Sequence, residues 1–247
     1  MITAPATTGS DSNLGRSPRG NWLLAVLVVV LAGAAVWAIA HLLGVLAHKR
    51  PVLSAKPAAA TAAGGAPVYT LNLSTYPDSG PGVHGQNGGP HPDWVTYGPT
   101  TNLQVPAHAL VKVTVRNYDS SATPNDLYYA KVHGTVGGVA YYNGKPLRQL
   151  DPSTSAHTFT IHMFPTAGQP DLFVSVPMLA VPDDAPALAN GYPKAAVTTF
   201  EFRTGAPGRY IWQCFAPCGD PTYAGFGGPM STLGYMTGTI TVGGSHV

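Results

Sequence analysis

Hydrophobic and polar residues alternate with a period of two in several short segments of this chain. Alternation over four to eight residues predicts β-strands with one buried face. Seven or eight such strands in the last part of the chain predict an all-β domain, a β-sandwich with antiparallel pairing. The segments are Val68–Leu73, Leu103–Val115, Ser155–Met163, Leu172–Val176, Thr199–Arg203, Arg209–Gln213 and Thr237–Val242.

The N-terminal part of the chain has a different pattern. From Trp22 to Ala47 the residues are almost wholly apolar and carry no formal charge. This run is longer than the roughly 20 residues that a helix needs to cross the hydrocarbon layer of a membrane. A cleaved secretory signal has an apolar region of only ~7–15 residues, so the length favours an uncleaved, single-pass membrane anchor.

Composition divides the chain into four predicted parts. Residues 1–20 are rich in Ser, Thr, Gly and Pro and are predicted to form a disordered cytoplasmic tail. A transmembrane helix is predicted for residues 21–47, and an Ala/Pro linker for residues 48–66. The folded β-domain is predicted for residues 67–247, which is enough chain to bury a single core.

The charge balance excludes some classes of function. Only 10% of the residues are charged and the net charge is +2, without a basic stripe interleaved with aromatic residues. This composition gives no electrostatic basis for binding nucleic acid. The chain also lacks the G-x-S-x-G, H-E-x-x-H and phosphate-cradling glycine motifs. We therefore do not expect a substrate-converting enzyme.

Sulfur-containing residues gather near the C-terminus between two predicted strands. The strand Arg209–Gln213 leads directly into Cys214, and a loop rich in Gly and Pro follows before the last strand. This loop contains Cys218, Met230 and Met236. Two strands that hold the ends of a loop with soft ligands are an arrangement that builds a thiolate–thioether metal site.

These motifs resemble those of the cupredoxins, a family that includes sulfocyanin-like domains and the copper domain of cytochrome c oxidase subunit II. The resemblance covers roughly residues 103–242 and rests on HTFTI, which contains His157, and on PGRYIWQC and GYMTGTITV. It implies a Greek-key β-sandwich that binds copper and transfers one electron. It further implies that His157, Cys214 and Met236 are the imidazole, thiolate and axial thioether ligands.

One expected ligand is missing from this pattern. The CFAPC spacing of Cys214 and Cys218 is similar to the binuclear copper loop of oxidase subunit II, which has a histidine four residues after its second cysteine. In this chain that position is Thr222, and no histidine occurs between His162 and His246. The second imidazole is a ligand in both the mononuclear and the binuclear sites of the family.

Three interpretations remain open at this level. Copper can be held by His157 with Cys214 and/or Cys218 and with Met230 and/or Met236, since soft sulfur donors favour Cu(I) and need no second imidazole. Alternatively, another histidine completes the set. The candidates are His162, His84 and His91. Finally, Cys214 and Cys218 can form a disulfide in a copper-free accessory or scaffold subunit.

The leading hypothesis is a membrane-anchored, cupredoxin-like electron carrier. The positive charges flanking the apolar helix are nearly balanced and do not fix its orientation. We place the C-terminal domain outside the cell membrane because thiolate copper sites and isolated cysteine pairs are commoner there. The helix would hold the domain near a membrane redox complex, such as a terminal oxidase or another copper enzyme.

Overall fold

A computed structural model describes residues 18–46, 51–61, 65, 67–77, 94–120, 122, 124, 126–163, 167–168 and 170–243. The chain divides into two compact units, Met1–Lys49 and Arg50–Val247. The first unit contains a helix and the second contains β-structure, so the predicted class, an all-β domain after one N-terminal helix, is confirmed.

Helix α1 spans Pro18–Leu46. Its apolar segment, Trp22–Ala40, buries none of its side chains within the protein. By length and composition this helix can cross a membrane, although an N-terminal signal sequence also meets these two conditions.

The second unit is a sandwich of two mixed sheets. Among the described residues, the strands of the first sheet lie in the order β1-β5-β13-β12-β9-β10, and those of the second in the order β2-β3-β6-β11-β7-β8, with β4 paired to β3. Three pairs are parallel, namely β1 with β5, β5 with β13, and β3 with β6. The strands are β1 (Val52–Ser54), β2 (Lys56–Thr61), β3 (Pro67–Tyr76), β4 (Thr96–Gly98), β5 (Asn102–Pro106), β6 (Leu110–Asn117), β7 (Ala140–Tyr142), β8 (Lys145–Leu147), β9 (Ser155–Met163), β10 (Val174–Leu179), β11 (Ala196–Arg203), β12 (Gly208–Gln213) and β13 (Thr237–Gly243).

The structure confirms most strands predicted from alternation. β9 and β12 have the predicted bounds to within one residue, and β13 begins at the predicted Thr237. A tight turn at Asn143–Gly144 joins β7 to β8, with both residues at positive φ. The predicted strand Leu103–Val115 is instead two strands, β5 and β6, because the chain turns at His108, whose φ is also positive.

The segment predicted to be a linker contains two strands. β1 pairs in parallel with β5, and β2 pairs with β3. In the first of these strands Leu53 is half-buried between the exposed Val52 and Ser54, and both Leu53 and Ala55 pack against the core. The segment therefore covers an open edge of each sheet and adds a little apolar packing. Arg50 and the residues after it therefore belong to the β-unit.

The core between the sheets contains a group of large aromatic side chains. Phe159 stacks on Trp212 with ring centroids 4.6 Å apart, and Phe200 lies 5.5 Å from Phe159. The Trp212 indole donates a hydrogen bond of 2.9 Å to the Thr101 carbonyl. These residues anchor β12, the strand that leads into Cys214.

Gly238 makes this packing possible. It pairs with Trp212 across β12 and β13. A Cβ atom at this position would lie 2.0 Å from the Thr101 oxygen and 2.7 Å from the Trp212 indole nitrogen. The strand therefore approaches Thr101 closely only because residue 238 has no side chain.

We expect Gly238→Ala to destabilise the β-domain by about 1–3 kcal/mol or more, because the added methyl group displaces the Trp212–Thr101 hydrogen bond. Urea unfolding followed by tryptophan fluorescence measures this change. The matched control is Gly243→Ala in the same strand, where the nearest atom to the new Cβ is 3.9 Å away. Equal stability of the two variants would contradict the packing argument.

Candidate metal centre

His157 lies near the start of β9, in the middle of the first sheet. β9 is flanked by β10 and β12, and the His157 side chain is fully buried. Alternation correctly placed His157 on the same side as the core residue Phe159. The other side of β9 is covered as well, because Thr158 and Thr160 are also fully buried and their hydroxyls lie 3.0 Å apart.

Cys214 follows directly after β12 and is fully buried. Its backbone N–H donates to the Met236 carbonyl at 2.9 Å, which continues the pairing of β12 with β13. The backbone N–H groups of Thr158 and Ala216 approach its sulfur at 3.3 and 3.4 Å. These two donors stabilise a thiolate at Cys214.

The loop after Cys214 returns two more sulfur atoms to the same point. The Cys218 Sγ lies 3.5 Å from the Cys214 Sγ and 3.1 Å from the Met230 Sδ. Gly219 permits this approach, because a Cβ atom there would lie 2.2 Å from the Gly227 oxygen and 2.7 Å from the Met230 Cγ. Both cysteines are free thiols.

The imidazole completes a cluster of four donor atoms. The His157 Nδ1 lies 3.9 Å from the Cys214 Sγ, and the donor atoms of His157, Cys214 and Cys218 all lie within 4.8 Å of one another. Two sulfur ligands ~2.3 Å from a tetrahedral metal ion would be ~3.8 Å apart. The observed spacing of the sulfur and nitrogen atoms is therefore close to that of ligands around one ion.

Asp119 holds the far side of the imidazole. Its Oδ2 lies 3.0 Å from the His157 Nε2, and its carboxyl is 22% exposed. The Asn117 side chain fixes this turn by accepting from the Asp119 N–H at 3.2 Å and donating to the Asp119 carbonyl at 2.8 Å. Outer partners of this kind orient a ligating histidine and fix its tautomer.

Sequence analysis did not identify Asp119. It is 38 residues from His157 in the chain, and its only local sign is its position just after the strand β6.

Burial and mutual hydrogen bonds shift the pKa values of Cys214, Cys218 and His157. Burial raises the pKa of Cys214, but hydrogen bonds from Cys218 and His157 outweigh it and hold this pKa well below its ordinary value. The hydrogen bond with Cys214, followed by burial, raises the pKa of Cys218 well above its ordinary value. Burial lowers the pKa of His157, but Asp119 and Cys214 outweigh this and raise it to about 9.

The remaining predicted residues have different surroundings. Met236 is fully buried, and its described hydrogen bonds are those of its backbone with Cys214 and Pro229. His162 lies with its Nε2 3.4 Å from the Gln213 Oε1, so its contacts point away from the sulfur cluster. His84 and His91, the other candidate imidazoles, lie outside the described residues. The role of Met236 as a ligand stays a prediction.

The same groups would suit nucleophilic chemistry if a substrate could reach them. Cys214, His157 and Asp119 form a thiol–imidazole–carboxylate series, the arrangement of a cysteine nucleophile with its base. Both Cys214 and His157 are fully buried, however, so no substrate atom can contact the sulfur. The burial favours a metal site over a covalent catalyst.

Comparisons with known proteins give similarities to solved structures alone. No family model matches this chain, and no curated protein matches it. Auracyanin B is 18% identical over 70% of this chain and 87% of its own, with a TM-score of 0.27. Rusticyanin from Thiobacillus ferrooxidans is 19% identical over 71% and 80%, with a TM-score of 0.33. Reduced auracyanin from Roseiflexus castenholzii is 16% identical over 70% and 95%, with a TM-score of 0.30.

These structural neighbours are cupredoxins, the family that the C-terminal motifs resemble. One of the rusticyanin structures is described as that of a copper protein. Identities of 16–19% and TM-scores of 0.27–0.33 leave the ligand set of this chain to be argued from its own residues.

We expect Asp119→Asn to reduce the stability of the metal-free protein by about 1–1.5 kcal/mol at pH 6, the difference between a charged and a neutral hydrogen bond. The pKa of His157 in the folded state, about 9, is above its ordinary 6.5. Protonated His157 therefore stabilises the fold fully below about pH 6.5, and this contribution is lost as the pH rises through about 9.

The cost of Asp119→Asn should consequently shrink between pH 6 and pH 10, as measured by urea unfolding at both values. The control is Asp184→Asn, which makes the same change at an exposed loop position. A cost that is independent of pH would show that Asp119 has a structural role only.

Proposed function

We propose that the β-domain binds one copper ion through the His157 Nδ1, the Cys214 and Cys218 sulfurs and the Met230 Sδ, and that it carries one electron. A single observation carries this proposal. Four donor atoms from three separate parts of the chain lie in successive contact, with His157 Nδ1 3.9 Å from Cys214 Sγ, Cys214 Sγ 3.5 Å from Cys218 Sγ, and Cys218 Sγ 3.1 Å from Met230 Sδ. A buried group of this kind is costly unless its members bind a common partner.

The donor types favour copper. Three sulfur atoms and one imidazole are soft ligands that select Cu(I) over the harder divalent ions, and imidazole with thiolate also suits Cu(II). Cys218 supplies a fourth donor where the family pattern has a second imidazole. Copper, when bound, supplies a one-electron couple between these two oxidation states.

The protein residues limit how far the site can rearrange. Cys214 is held by β12 and β13, and His157 by β9 and Asp119. The Gly219 contacts fix the loop that carries Cys218 against Met230. A preorganised ligand set reduces the reorganisation between oxidation states, which supports a role in electron transfer. The burial of His157 and Cys214 also excludes water.

Helix α1 supports a place at a membrane. We propose that it anchors the domain as a single-pass helix on the outer face of the cell membrane. A membrane redox complex, such as a terminal oxidase or another copper enzyme, would then be the partner. The support for this part is the length and apolar composition of the segment Trp22–Ala40.

The second candidate function is that of a copper-free accessory subunit with a Cys214–Cys218 disulfide. The 3.5 Å separation of the two sulfurs favours this candidate, since a small movement would bring them to the bond length of ~2.05 Å.

Replacing the Cys214 thiolate should abolish the visible absorption of the copper-loaded protein. We expect the full chain, purified in detergent and loaded with copper, to show a sulfur-to-copper charge-transfer absorption that Cys214→Ser eliminates. Metal analysis should give one copper per chain for the unmodified protein. Retention of the absorption band in Cys214→Ser would contradict the assignment of Cys214 as a ligand.

The two loop methionines should differ in importance. We expect Met230→Leu to weaken Cu(I) affinity by about tenfold or more, because it removes the thioether that lies 3.1 Å from Cys218. Met236→Leu keeps a buried apolar side chain and the backbone bond to Cys214. Competition with a Cu(I) chelator measures both affinities, with the exposed Met163→Leu as control. A larger loss in Met236→Leu would reassign the thioether ligand.

A thiol titration separates the two candidate functions. Copper-stripped full-length protein, denatured without reductant, should give two titratable thiols if the cluster is a metal site. Neither thiol would react if Cys214 and Cys218 form a disulfide. That second result, together with no bound copper, would replace the electron carrier with the accessory subunit.

A further inference from the structure

The predicted donor residues differ in their access to solvent. His157, Cys214 and Met236 are fully buried, and Met230 is 2% exposed. Cys218 alone among these five residues is partly exposed. A metal ion that enters the folded protein therefore meets the Cys218 sulfur first.

A cavity of ≈ 270 Å³ opens onto Cys218. Its walls combine apolar side chains with polar backbone groups and one carboxylate, and consist of Trp94, Val95, Cys218, Gly219, Asp220, Pro221 and Pro229. Two other cavities among the described residues, of ≈ 190 and ≈ 400 Å³, are lined by none of the predicted donors. We call the first cavity the Cys218 cleft.

The Cys218 cleft has fixed walls. The Asp220 Oδ1 accepts a hydrogen bond of 2.8 Å from the Thr222 N–H, and the Gly219 N–H donates to the Gly225 carbonyl at 2.7 Å. The Trp94 ring packs edge-on against Tyr235, with centroids 5.0 Å apart. The cleft is therefore formed before any ligand arrives.

The opposite side of the cluster is closed. Asp119 covers the His157 Nε2, and the backbone N–H groups of Thr158 and Ala216 cover the Cys214 sulfur. The Tyr97 ring lies 6.5 Å from the His157 ring, and its hydroxyl donates to the Thr158 carbonyl. Within the part of the chain that the structure describes, these contacts leave the Cys218 side as the open approach.

The two neighbouring cysteines determine which oxidation state of copper can bind without oxidising the site. Two Cu(II) ions can each take one electron from the Cys214 and Cys218 thiolates, which then form a disulfide and leave two Cu(I) ions. Two sulfur atoms 3.5 Å apart are close enough to form this disulfide after a small movement. Cu(I) causes no such oxidation, and its common small ligands are thiolates.

We propose that the Cys218 cleft is an entry site for Cu(I) carried by a low-molecular-weight thiol, and that Cys218 accepts the ion by ligand exchange. This inference rests on the proposed copper site and adds the route and the form in which copper arrives. A cleft of ≈ 270 Å³ has room for a small thiolate but not for a folded carrier protein.

The exchange balances without a change in oxidation state. The Cys218 Sγ forms a bond to Cu(I) as one carrier thiolate leaves, and the Cys218 proton goes to that leaving thiolate. The Met230 Sδ and the Cys214 Sγ lie 3.1 and 3.5 Å away and are the next ligands to engage. The second carrier thiolate then leaves as the buried donors replace it.

The access to Cys218 can be tested without copper. We expect iodoacetamide to alkylate Cys218 in the reduced, metal-free full chain about tenfold or more faster than Cys214, as resolved by peptide mass spectrometry. A bulky polymer-linked maleimide should react slowly with both. Equal rates for the two cysteines, or equal rates for the small and bulky reagents relative to the unfolded protein, would overturn the proposed access.

The entry route is tested with Cu(I) supplied anaerobically as its glutathione complex to the full chain in detergent. Pro221→Trp fills the mouth of the cleft and should slow both alkylation of Cys218 and copper uptake by about tenfold, the effect of a moderate steric obstruction. The final copper content should not change. Tyr223→Trp adds the same side chain at an exposed position outside the cleft lining and should leave both rates within about twofold.

The outcomes separate the two proposals. Slower alkylation with unchanged copper uptake in Pro221→Trp would overturn the entry route while leaving the copper site intact. No retained copper in the unmodified protein would instead overturn the copper site and the entry route with it. If Pro221→Trp does not fold, as judged by circular dichroism, the entry route is tested on the unmodified protein with two Cu(I) carriers of different size. Glutathione-bound Cu(I) should then load faster than Cu(I) on a polymer-linked thiol, and equal loading would overturn the route.

Discussion

The antiparallel register between β9 and β12 is the constraint on which the site depends. Ile211 pairs with His162 and Gln213 with Thr160, so Cys214 emerges beside Thr158 and His157. Slippage by one residue would turn the whole of β12 over and move Trp212 out of the core. The same aromatic packing that stabilises the sandwich therefore determines where the thiolate meets the imidazole.

The loop after Cys214 changes the character of the site. Where the family pattern has a second imidazole, this chain brings a second sulfur, because Gly219 allows the loop to pass close to the Gly227 carbonyl. The result is a cluster richer in sulfur, in which Cys218 lies beside both Cys214 and Met230. Softer donors shift the chemistry toward Cu(I), both for holding the ion and for receiving it.

Access distinguishes between the reactions that these side chains can support. A cysteine beside a histidine and a carboxylate is a nucleophile when substrate can reach it, but Cys214 is fully buried. The Cys218 cleft has the size of a small molecule, and it is lined by Cys218 but not by Cys214. The limited opening thus allows metal binding and keeps the two thiols away from larger reactants.

The sequence by itself determined the class of fold and marked His157, Cys214 and Cys218 as candidate donors. Alternation with a period of two placed β9, β12 and β13, and put His157 and Cys214 at strand ends, because side-chain direction in a strand depends on local spacing. The prediction of helix α1 also used local information alone, because it depends only on the length and composition of the apolar run.

Only the tertiary structure decided the rest. Asp119 meets His157 across 38 residues, the Cys218 sulfur lies beside the Met230 sulfur, and β1 and β2 join sheets despite a linker-like composition. These features depend on which backbone segments lie side by side, and on a loop path set by close contacts at glycine. Neither leaves a periodic pattern in the chain, so spacing along the sequence could not reveal them.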